Sequence, residues 1–143
     1  MRTTAFPTPQ DAENAFYEAL ERADLEAMMA VWAEDEEIVC IHPTGPRLAG
    51  HEQVRESWRS IFSGGTGTRL QVTQQVATQA MMVAIHSVHE TAPASGNRRP
   101  ATVVATNVYL RTAAGWRMIL HHASHAPGQP EAGRADAPPK ILH

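Results

Sequence analysis

The stretch WAEDEEIVCIHPTGP, residues 32–46, decides the fold because the pattern of the chain changes within it. Four consecutive acidic residues, 34–37, close an amphipathic helical pattern, and the apolar run 38–41 is rich in β-branched residues that favour a strand. The segment His42-Pro43-Thr44-Gly45-Pro46 then ends that run, because proline and glycine favour turns. A histidine at the end of a strand, just before a rigid turn, is well placed to face a cavity.

Upstream of this stretch, apolar spacing predicts two helices that pack as a bent pair. Thr8 is a good N-cap, Pro9 suits the first helical position, and the helical pattern runs to about Ala23. Asp24 has the character of the N-cap of the second helix. The apolar face of that second helix consists of Leu25, Met28, Met29 and Trp32.

Downstream, a short extended piece, residues 47–49, leads into a third helix, residues 51–62, and a glycine-rich segment ends it. The stripe of that helix consists of Val54, Trp58, Ile61 and Phe62. The period then changes to two, with Leu70, Val72, Gln74 and Val76 alternating along the first of four predicted strands. The strands are predicted at residues 70–79, 81–91, 101–112 and 116–125, and helices followed by such an antiparallel meander give an α+β fold.

Composition limits the class of protein. A chain of 143 residues with 43% apolar and 19% charged residues forms one globular domain, which we expect at residues 1–125, followed by a flexible Pro/Gly-rich tail, 126–143. The net charge of −3 without a basic cluster argues against a nucleic-acid partner, and the lack of a long apolar run argues against a membrane. The single cysteine and the absence of a signal peptide favour the cytoplasm, and no phosphate loop or cysteine pair predicts a cofactor.

Three segments resemble the NTF2-like superfamily, in particular its SnoaL-like and ketosteroid-isomerase-like branches. They are FYEALERADLEAMMAVWAEDEEIVCIHPTGPRLAGHEQVRESW, residues 16–58, ATVVATNVYLR, residues 101–111, and GWRMILHHAS, residues 115–124. The resemblance implies a cone-shaped α+β barrel with a deep, largely apolar pocket, and a homodimer formed through the outer face of the sheet. Because the superfamily includes isomerases, cyclases, dehydratases and scaffolding domains, the fold constrains function weakly.

The acid–base groups of ketosteroid isomerase are not reproduced at the matching positions. Where that enzyme has an aspartate base the chain has His42, and where it has a protonated aspartic acid the chain has Asn107. Its tyrosine matches Phe16, with Tyr17 one residue further and turned about 100° away on the helix. The resemblance therefore does not predict steroid isomerisation by that mechanism.

A second set of groups could carry chemistry. Histidine is the residue type whose ordinary pKa lies near neutrality, so His42 is a candidate acid–base group, and Asn107 could donate a hydrogen bond to a ligand carbonyl or a developing oxyanion. Alternation puts Trp116, Met118, Leu120, His122 and Ser124 on one face of the last strand. The resemblance suggests that this is the pocket face, so His122 is expected to point inward and His121 outward. The other candidate ligand-binding residues are Phe16, Tyr17, Trp32, Arg47, Trp58, His86, Trp116, Met118 and Leu120.

Each candidate has a structural alternative. His42 could bond to turn carbonyls, Asn107 could make a buried structural hydrogen bond, and His122 could be a satisfied core histidine. The tryptophans could be core rather than pocket wall, and Arg47 could be a surface residue that does not anchor an anion. Metal-like spacings such as His86-x-x-His89 place side chains on opposite faces of a strand, so no metal site is predicted.

Three functions remain open from sequence. The first, which we favour, is a homodimer that binds a small organic ligand in an apolar pocket. The second is a cofactor-independent isomerase, cyclase or dehydratase that uses His42 or His122 as acid–base and Asn107 as hydrogen-bond donor. The third is a protein-interaction or assembly module that uses the exposed face of the sheet.

Overall fold

The computed structural model describes residues 5–34, 37–65, 67–94, 96–97 and 99–127, so the predicted flexible tail lies outside the described residues from position 128 onward. Three helices precede a four-stranded meander, and two short strands lie between the second and third helices. The helices are α1 (Pro9–Arg22), α2 (Leu25–Val31) and α3 (His51–Phe62). The strands are β1 (Val39–Ile41), β2 (Arg47–Ala49), β3 (Gln71–Gln79), β4 (Val83–Ala92), β5 (Ala101–Thr112) and β6 (Gly115–His125).

The first two helices have the predicted caps. The Thr8 hydroxyl accepts a hydrogen bond from the backbone N–H of Asp11 at 3.1 Å, and the Asp24 carboxylate accepts one from that of Ala27 at 3.0 Å. Between the helices, Ala23 has a left-handed conformation with φ of 53°, which turns the chain within one residue. The predicted bent pair is confirmed.

The second helix ends at Val31, earlier than the acidic run suggested. Trp32 is extended and makes an isolated parallel bridge to Met118, and the backbone N–H of Ala33 donates to the carbonyl of Met118 at 2.9 Å. Residues 35–36 of the acidic run lie outside the described residues. The helix stops because the backbone after Val31 pairs with β6 instead of continuing its own hydrogen bonds.

The sheet has the order β2-β1-β6-β5-β4-β3. All neighbouring strands are antiparallel except β1 and β6, which run parallel. The four long strands pair in chain order, so the predicted meander is confirmed. The α+β architecture implied by the family resemblance is confirmed as well.

A β-bulge in β6 changes which side chains face inward. Val108 pairs with Leu120, whereas the next residue of β5, Tyr109, pairs with Met118, so Ile119 is the extra residue. Because one extra residue reverses the alternation, Trp116 and Met118 face the core before the bulge and His121 faces it afterwards. The predicted orientations are therefore wrong: His122 is exposed and His121 is buried.

A second bulge has the same effect in β3. Thr73 pairs with His89 and Val76 pairs with Ser87, so two residues of β3 oppose one of β4. Gln74, within the bulge, has φ of 52°. The predicted single face from Leu70 to Val76 is wrong, because Val76 is 68% exposed whereas Val72 packs against a buried cluster.

The main core lies between the helices and the inner face of the sheet. It contains Phe16, Trp32, Trp58 and Met118, all buried and members of one cluster, whereas Ile61 of the predicted α3 stripe is exposed. Gly115 begins β6 with φ of 100°, and a Cβ there would lie 2.9 Å from the backbone N and O of Phe6. This close approach of two backbones requires glycine.

Candidate functional site

The main polar feature of the interior is Glu13, a carboxylate on the apolar side of α1 that is 1% exposed. Its Oε2 accepts hydrogen bonds from the Tyr109 hydroxyl at 2.8 Å, from His86 Nδ1 at 3.0 Å and from Asn107 Nδ2 at 3.2 Å. Its Oε1 accepts one from Gln75 Nε2 at 2.8 Å. A buried carboxylate is tolerated when its lone pairs are satisfied in this way.

A second buried carboxyl group, Glu90 on β4, lies beside the first. The Tyr17 hydroxyl donates to Glu90 Oε2 at 2.5 Å and accepts from Asn107 Nδ2 at 3.0 Å. Asn107 also donates to Glu13, so it links the two carboxyl groups. We call Glu13, Tyr17, Glu90, Asn107 and Tyr109, together with His86 and His121, the polar cluster.

His121 ends the polar cluster on the side of the aromatic core. Its Nδ1 donates to Asn107 Oδ1 at 2.6 Å, and its ring lies 4.9 Å from that of Phe16 and 6.4 Å from that of Trp58. Burial, and then the charges of His42 and His122, lower the pKa of His121 to about 3. The imidazole is therefore neutral at physiological pH and is held as a hydrogen-bond donor.

The two carboxyl groups have opposite pKa shifts. Burial by itself raises the pKa of Glu13, but hydrogen bonds from His86, Tyr109 and Asn107 and the charge of His86 outweigh it and leave the pKa below its ordinary value. Burial raises the pKa of Glu90 to about 7, against the opposing hydrogen bond from Tyr17. One site thus holds an ionised carboxylate and a carboxyl group that is half protonated near neutrality, the pairing that general acid–base chemistry uses.

A cleft between α1 and the start of the sheet leads to this cluster. It has a volume of about 500 Å³, and Glu13, Tyr17 and Gln75 lie at its wall together with Leu70 and Val72. A neighbouring hollow of about 520 Å³ shares Glu21 and Leu70 with it. The cleft gives solvent and solutes a route to Tyr17 and to the Gln75 side chain that covers Glu13.

The apolar pocket walls that the sequence suggested are packed core. Phe16, Trp32 and Met118 are fully buried, Trp58 and Trp116 are nearly so, and Leu120 lies on the outer side of the sheet opposite Val108. Tyr17 belongs to the polar cluster, as do His86 and Asn107. Arg47 is exposed on β2.

His42 and His122 are the two predicted acid–base groups, and both lie near enough to His121 for their charges to lower its pKa. His42 Nε2 is 2.7 Å from the Ser57 hydroxyl, its ring packs edge-on against Trp58, and burial lowers the pKa of His42. His122 pairs with Thr106 on the outer face of the sheet, opposite to the face that carries Asn107. The sequence had paired either His42 or His122 with Asn107, and His122 and Asn107 lie on opposite faces of the sheet, so these two do not face one ligand position.

The groupings of potential metal ligands and the surroundings of Cys40 can be stated for the described part of the chain. Within those residues, no group of three histidine, cysteine, aspartate or glutamate side chains is arranged to hold a metal ion. Cys40 is fully buried with its Sγ 3.7 Å from His42 Nε2, and burial followed by the charge of Glu90 raises the pKa of Cys40 to about 12. Its thiol is neutral at physiological pH and is a poor nucleophile.

Replacing His121 and His122 one at a time tests the orientation set by the β6 bulge. We expect His121→Ala to lower the free energy of unfolding by about 2 kcal/mol, because it removes a buried ring and leaves Asn107 Oδ1 without its donor. We expect His122→Ala to change it by less than about 0.5 kcal/mol. Urea denaturation of the two variants measures both values, and a larger loss for His122→Ala would contradict the assignment.

Sequence reasoning missed four members of the cluster, Glu13, Glu90, Tyr109 and His121. Two of them had a visible signal, because Glu90 and Tyr109 have the same strand parity as His86 and Asn107. Glu13 lies three positions before Phe16 and seven before Leu20, so it is a charged residue on an apolar stripe. The inward orientation of His121 depends on the bulge and has no signal in the alternation.

Comparison with known proteins identifies the family. A family model described as a SnoaL-like domain matches residues 10–128. The chain belongs to the SnoaL-like domain family. The F-box protein SKIP8 of Arabidopsis thaliana is 27% identical to this SnoaL-like chain over 109 residues, which are 76% of the chain. The chain spans 46% of the length of that curated relative.

Two solved structures are similar over most of the SnoaL-like domain. One, from Thiobacillus denitrificans, is provisionally assigned as a calcium/calmodulin-dependent protein kinase type II association domain. It is 44% identical with a TM-score of 0.78, and the match covers 86% of this chain and 98% of that one. The other, from Streptomyces avermitilis, is provisionally assigned as a dehydratase of the NTF2-like family. It is 28% identical with a TM-score of 0.71, and the match covers 80% of this chain and 91% of that one.

Among the described residues of this SnoaL-like chain, no helix is both long and apolar enough to cross a membrane.

Proposed function

We propose that the protein binds a small organic molecule in the cleft between α1 and β3, with Glu13 and Tyr17 as the polar groups that meet it. The observation that carries the proposal is that the cleft reaches a buried polar cluster whose side chains are hydrogen-bonded to one another. Ligand sites commonly combine apolar walls with a few fixed polar groups, and here Leu70 and Val72 supply apolar wall beside Glu13. The proposed site lies over the polar cluster. The sequence had suggested a site beside His42 instead.

The same cluster supports turnover as an extension of this proposal. Glu13 is an ionised base with its Oε1 towards Gln75, and Glu90 holds a proton near neutrality behind Tyr17. In such a reaction Glu13 takes a proton from the ligand, the Tyr17 hydroxyl gives its proton to the ligand, and protonated Glu90 returns a proton to the Tyr17 oxygen. The similarity to a protein provisionally assigned as a dehydratase favours chemistry of this kind.

A blocking variant tests the binding site. Asn14 is exposed and lines the cleft, so Asn14→Trp should fill it without disturbing the core, whereas Asn14→Ala should leave it open. A library of small fragments is titrated into isotope-labelled protein, and amide shifts are followed by NMR. We expect shifts near Glu13, Tyr17 and Gln75 in the wild type and in Asn14→Ala, and their loss in Asn14→Trp. If no fragment shifts these amides, or if Asn14→Trp binds equally well, the proposal is wrong.

A second candidate function is self-assembly, for which the outer face of the sheet supplies the observation. Ile85 and Val76 are 44% and 68% exposed on that face, and Met81 and Met82 in the adjoining turn are 78% and 50% exposed. Exposed apolar side chains grouped on one face favour a protein interface. The similarity at 44% identity to a protein provisionally assigned as a kinase association domain favours the same function, and we propose a homodimer through this face.

Two matched substitutions test the dimer. Ile85 and Ile61 are the same residue type with the same exposure of 44%, but Ile85 lies on the outer sheet face and Ile61 on α3. We expect Ile85→Lys to shift the mass measured by light scattering from two chains to one, and Ile61→Lys to leave it unchanged. A wild-type protein of one-chain mass, or a dimer that survives Ile85→Lys, would contradict this proposal.

A further inference from the structure

The charge of the cleft lining has one sign. Among the described residues that line the cleft, those with a formal charge are Glu13, Glu18 and Glu21, all carboxylates on α1. Glu18 pairs with Arg22 at 3.5 Å, but both side chains are largely exposed, so the pair is screened by solvent. The low pKa of Glu13 keeps its carboxylate ionised at the inner end, with Oε2 against His86 at 3.0 Å and Oε1 against the Gln75 amide at 2.8 Å. Charge acts most strongly there because the surroundings are least polarisable.

Gln75 occupies the open side of Glu13. The Gln75 side-chain nitrogen donates to Glu13 Oε1 at 2.8 Å and to Gln10 Oε1 at 2.9 Å, and it lies 3.3 Å from His86 Nδ1. An N–H donor group is therefore held against the buried carboxylate by a residue of an exposed edge strand. Gln75 follows the bulge at Gln74, where the regular pairing of β3 with β4 is interrupted. The backbone at Gln75 is therefore less constrained than in a regular strand.

The opposite wall is apolar and leads outward. Leu70 and Val72 are partly buried and face the helix across the cleft, and Leu70 continues into the neighbouring hollow. That outer hollow has Arg69 in its wall, so a positive group fits the inner end better than the outer end. A ligand suited to both walls carries its charge at one end and an aliphatic body behind it.

We propose that the ligand class of this cleft is a primary alkylamine, whose ammonium takes the place of the Gln75 amide against Glu13 and whose alkyl chain lies along Leu70 and Val72. This inference rests on the proposed function, because it names the chemistry of the same site. An ammonium has three donors and a full charge where the amide has two donors and none, so it satisfies the Glu13 and Gln10 oxygens with a stronger interaction.

Three six-carbon probes of equal length test the charge. Hexylamine, hexan-1-ol and hexanoate are titrated separately into the full-length protein, and dissociation constants are taken from the NMR shifts of the cleft amides. We expect hexylamine to bind about tenfold more tightly than hexan-1-ol, and hexanoate to bind more weakly than either. Binding of hexan-1-ol or hexanoate at the cleft with no preference for hexylamine would overturn the amine assignment and leave the proposed function intact. If none of the three probes or the fragments shifts these amides, both proposals fail.

Variants separate a specific site from general attraction to an acidic protein. Gln75→Ala removes the competing amide, and we expect it to tighten hexylamine binding about threefold, whereas Glu21→Gln should weaken it about threefold. Glu52→Gln removes the same charge from an exposed position on α3 and should leave affinity unchanged. An equal loss in Glu21→Gln and Glu52→Gln, or weaker binding in Gln75→Ala, would contradict the proposal. Circular dichroism confirms that each variant is folded.

Discussion

Glu13→Leu is expected to lower the free energy of unfolding by about 3–5 kcal/mol, because it leaves several buried donors without their acceptor. The buried donors are the Tyr109 hydroxyl, Asn107 Nδ2 and His86 Nδ1, all within 3.2 Å of the carboxylate. Leucine has nearly the same volume, so the loss reports unpaired polar groups and not a cavity. Urea denaturation followed by tryptophan fluorescence measures the change.

Two companion substitutions make this result specific. Glu18→Leu changes the same residue type on the same helix at an exposed position, and we expect a change below about 0.5 kcal/mol. Glu13→Gln keeps one acceptor oxygen but turns the other position into a donor, and we expect an intermediate loss. If Glu13→Leu costs less than about 1 kcal/mol, then Glu13 does not organise the buried hydrogen bonds as described.

The sequence predicted the elements well because their signals are local. Thr8 and Asp24 cap helices through side-chain oxygens within three residues, and glycines lie at the boundaries of elements, as Gly50 does before α3 and Gly115 at the start of β6. The extent of α2 was the exception, since its end depends on backbone pairing of Ala33 with Met118, a residue far along the chain. Tertiary pairing overrode a local helical pattern there.

The site was less predictable because its geometry depends on two bulges. One extra residue at Ile119 moves His121 inward and His122 outward, and an extra residue beside Gln74 brings Gln75 to Glu13. Alternation alone cannot locate an extra residue, since both registers satisfy the apolar pattern nearly equally. Asn107 was found because it stands where ketosteroid isomerase has its protonated aspartic acid, whereas its partners Glu13 and Tyr17 come from a helix that strand parity does not describe.

Glu90 is expected to lower the free energy of unfolding as the pH rises, which is opposite to the effect of an ordinary paired carboxylate. The pKa of Glu90 is raised from 4.5 to about 7 in the folded protein, so the folded state binds a proton that the unfolded state releases between these values. The stabilisation from protonated Glu90 is fully present below about pH 4.5 and is lost as the pH rises through about 7. The whole effect amounts to about 3 kcal/mol.

The wild-type stability curve alone would hide this contribution. His121 has its pKa lowered from 6.5 to about 3, so its stabilisation is present above about pH 6.5 and is lost as the pH falls below it. Glu13, with a lowered pKa, also loses stabilisation towards acid. At acidic pH, His121 and Glu13 make the free energy of unfolding rise with pH, whereas Glu90 makes it fall. Subtracting the free energies of two proteins that both contain His121 and Glu13 cancels most of the contribution of these two residues.

Glu90→Gln isolates the contribution, because glutamine keeps an oxygen for the Tyr17 hydroxyl and cannot ionise. We expect the variant to gain about 3 kcal/mol relative to the wild type between about pH 5 and about pH 8, as the wild type acquires a buried charge that is repelled by the charge of Glu13. Urea denaturation at a series of pH values measures the gain, and NMR titration of the Glu90 carboxyl carbon should have its midpoint near pH 7. A difference that does not vary with pH, together with a midpoint near 4.5, would show that Glu90 is ionised in the folded protein like an exposed carboxylate.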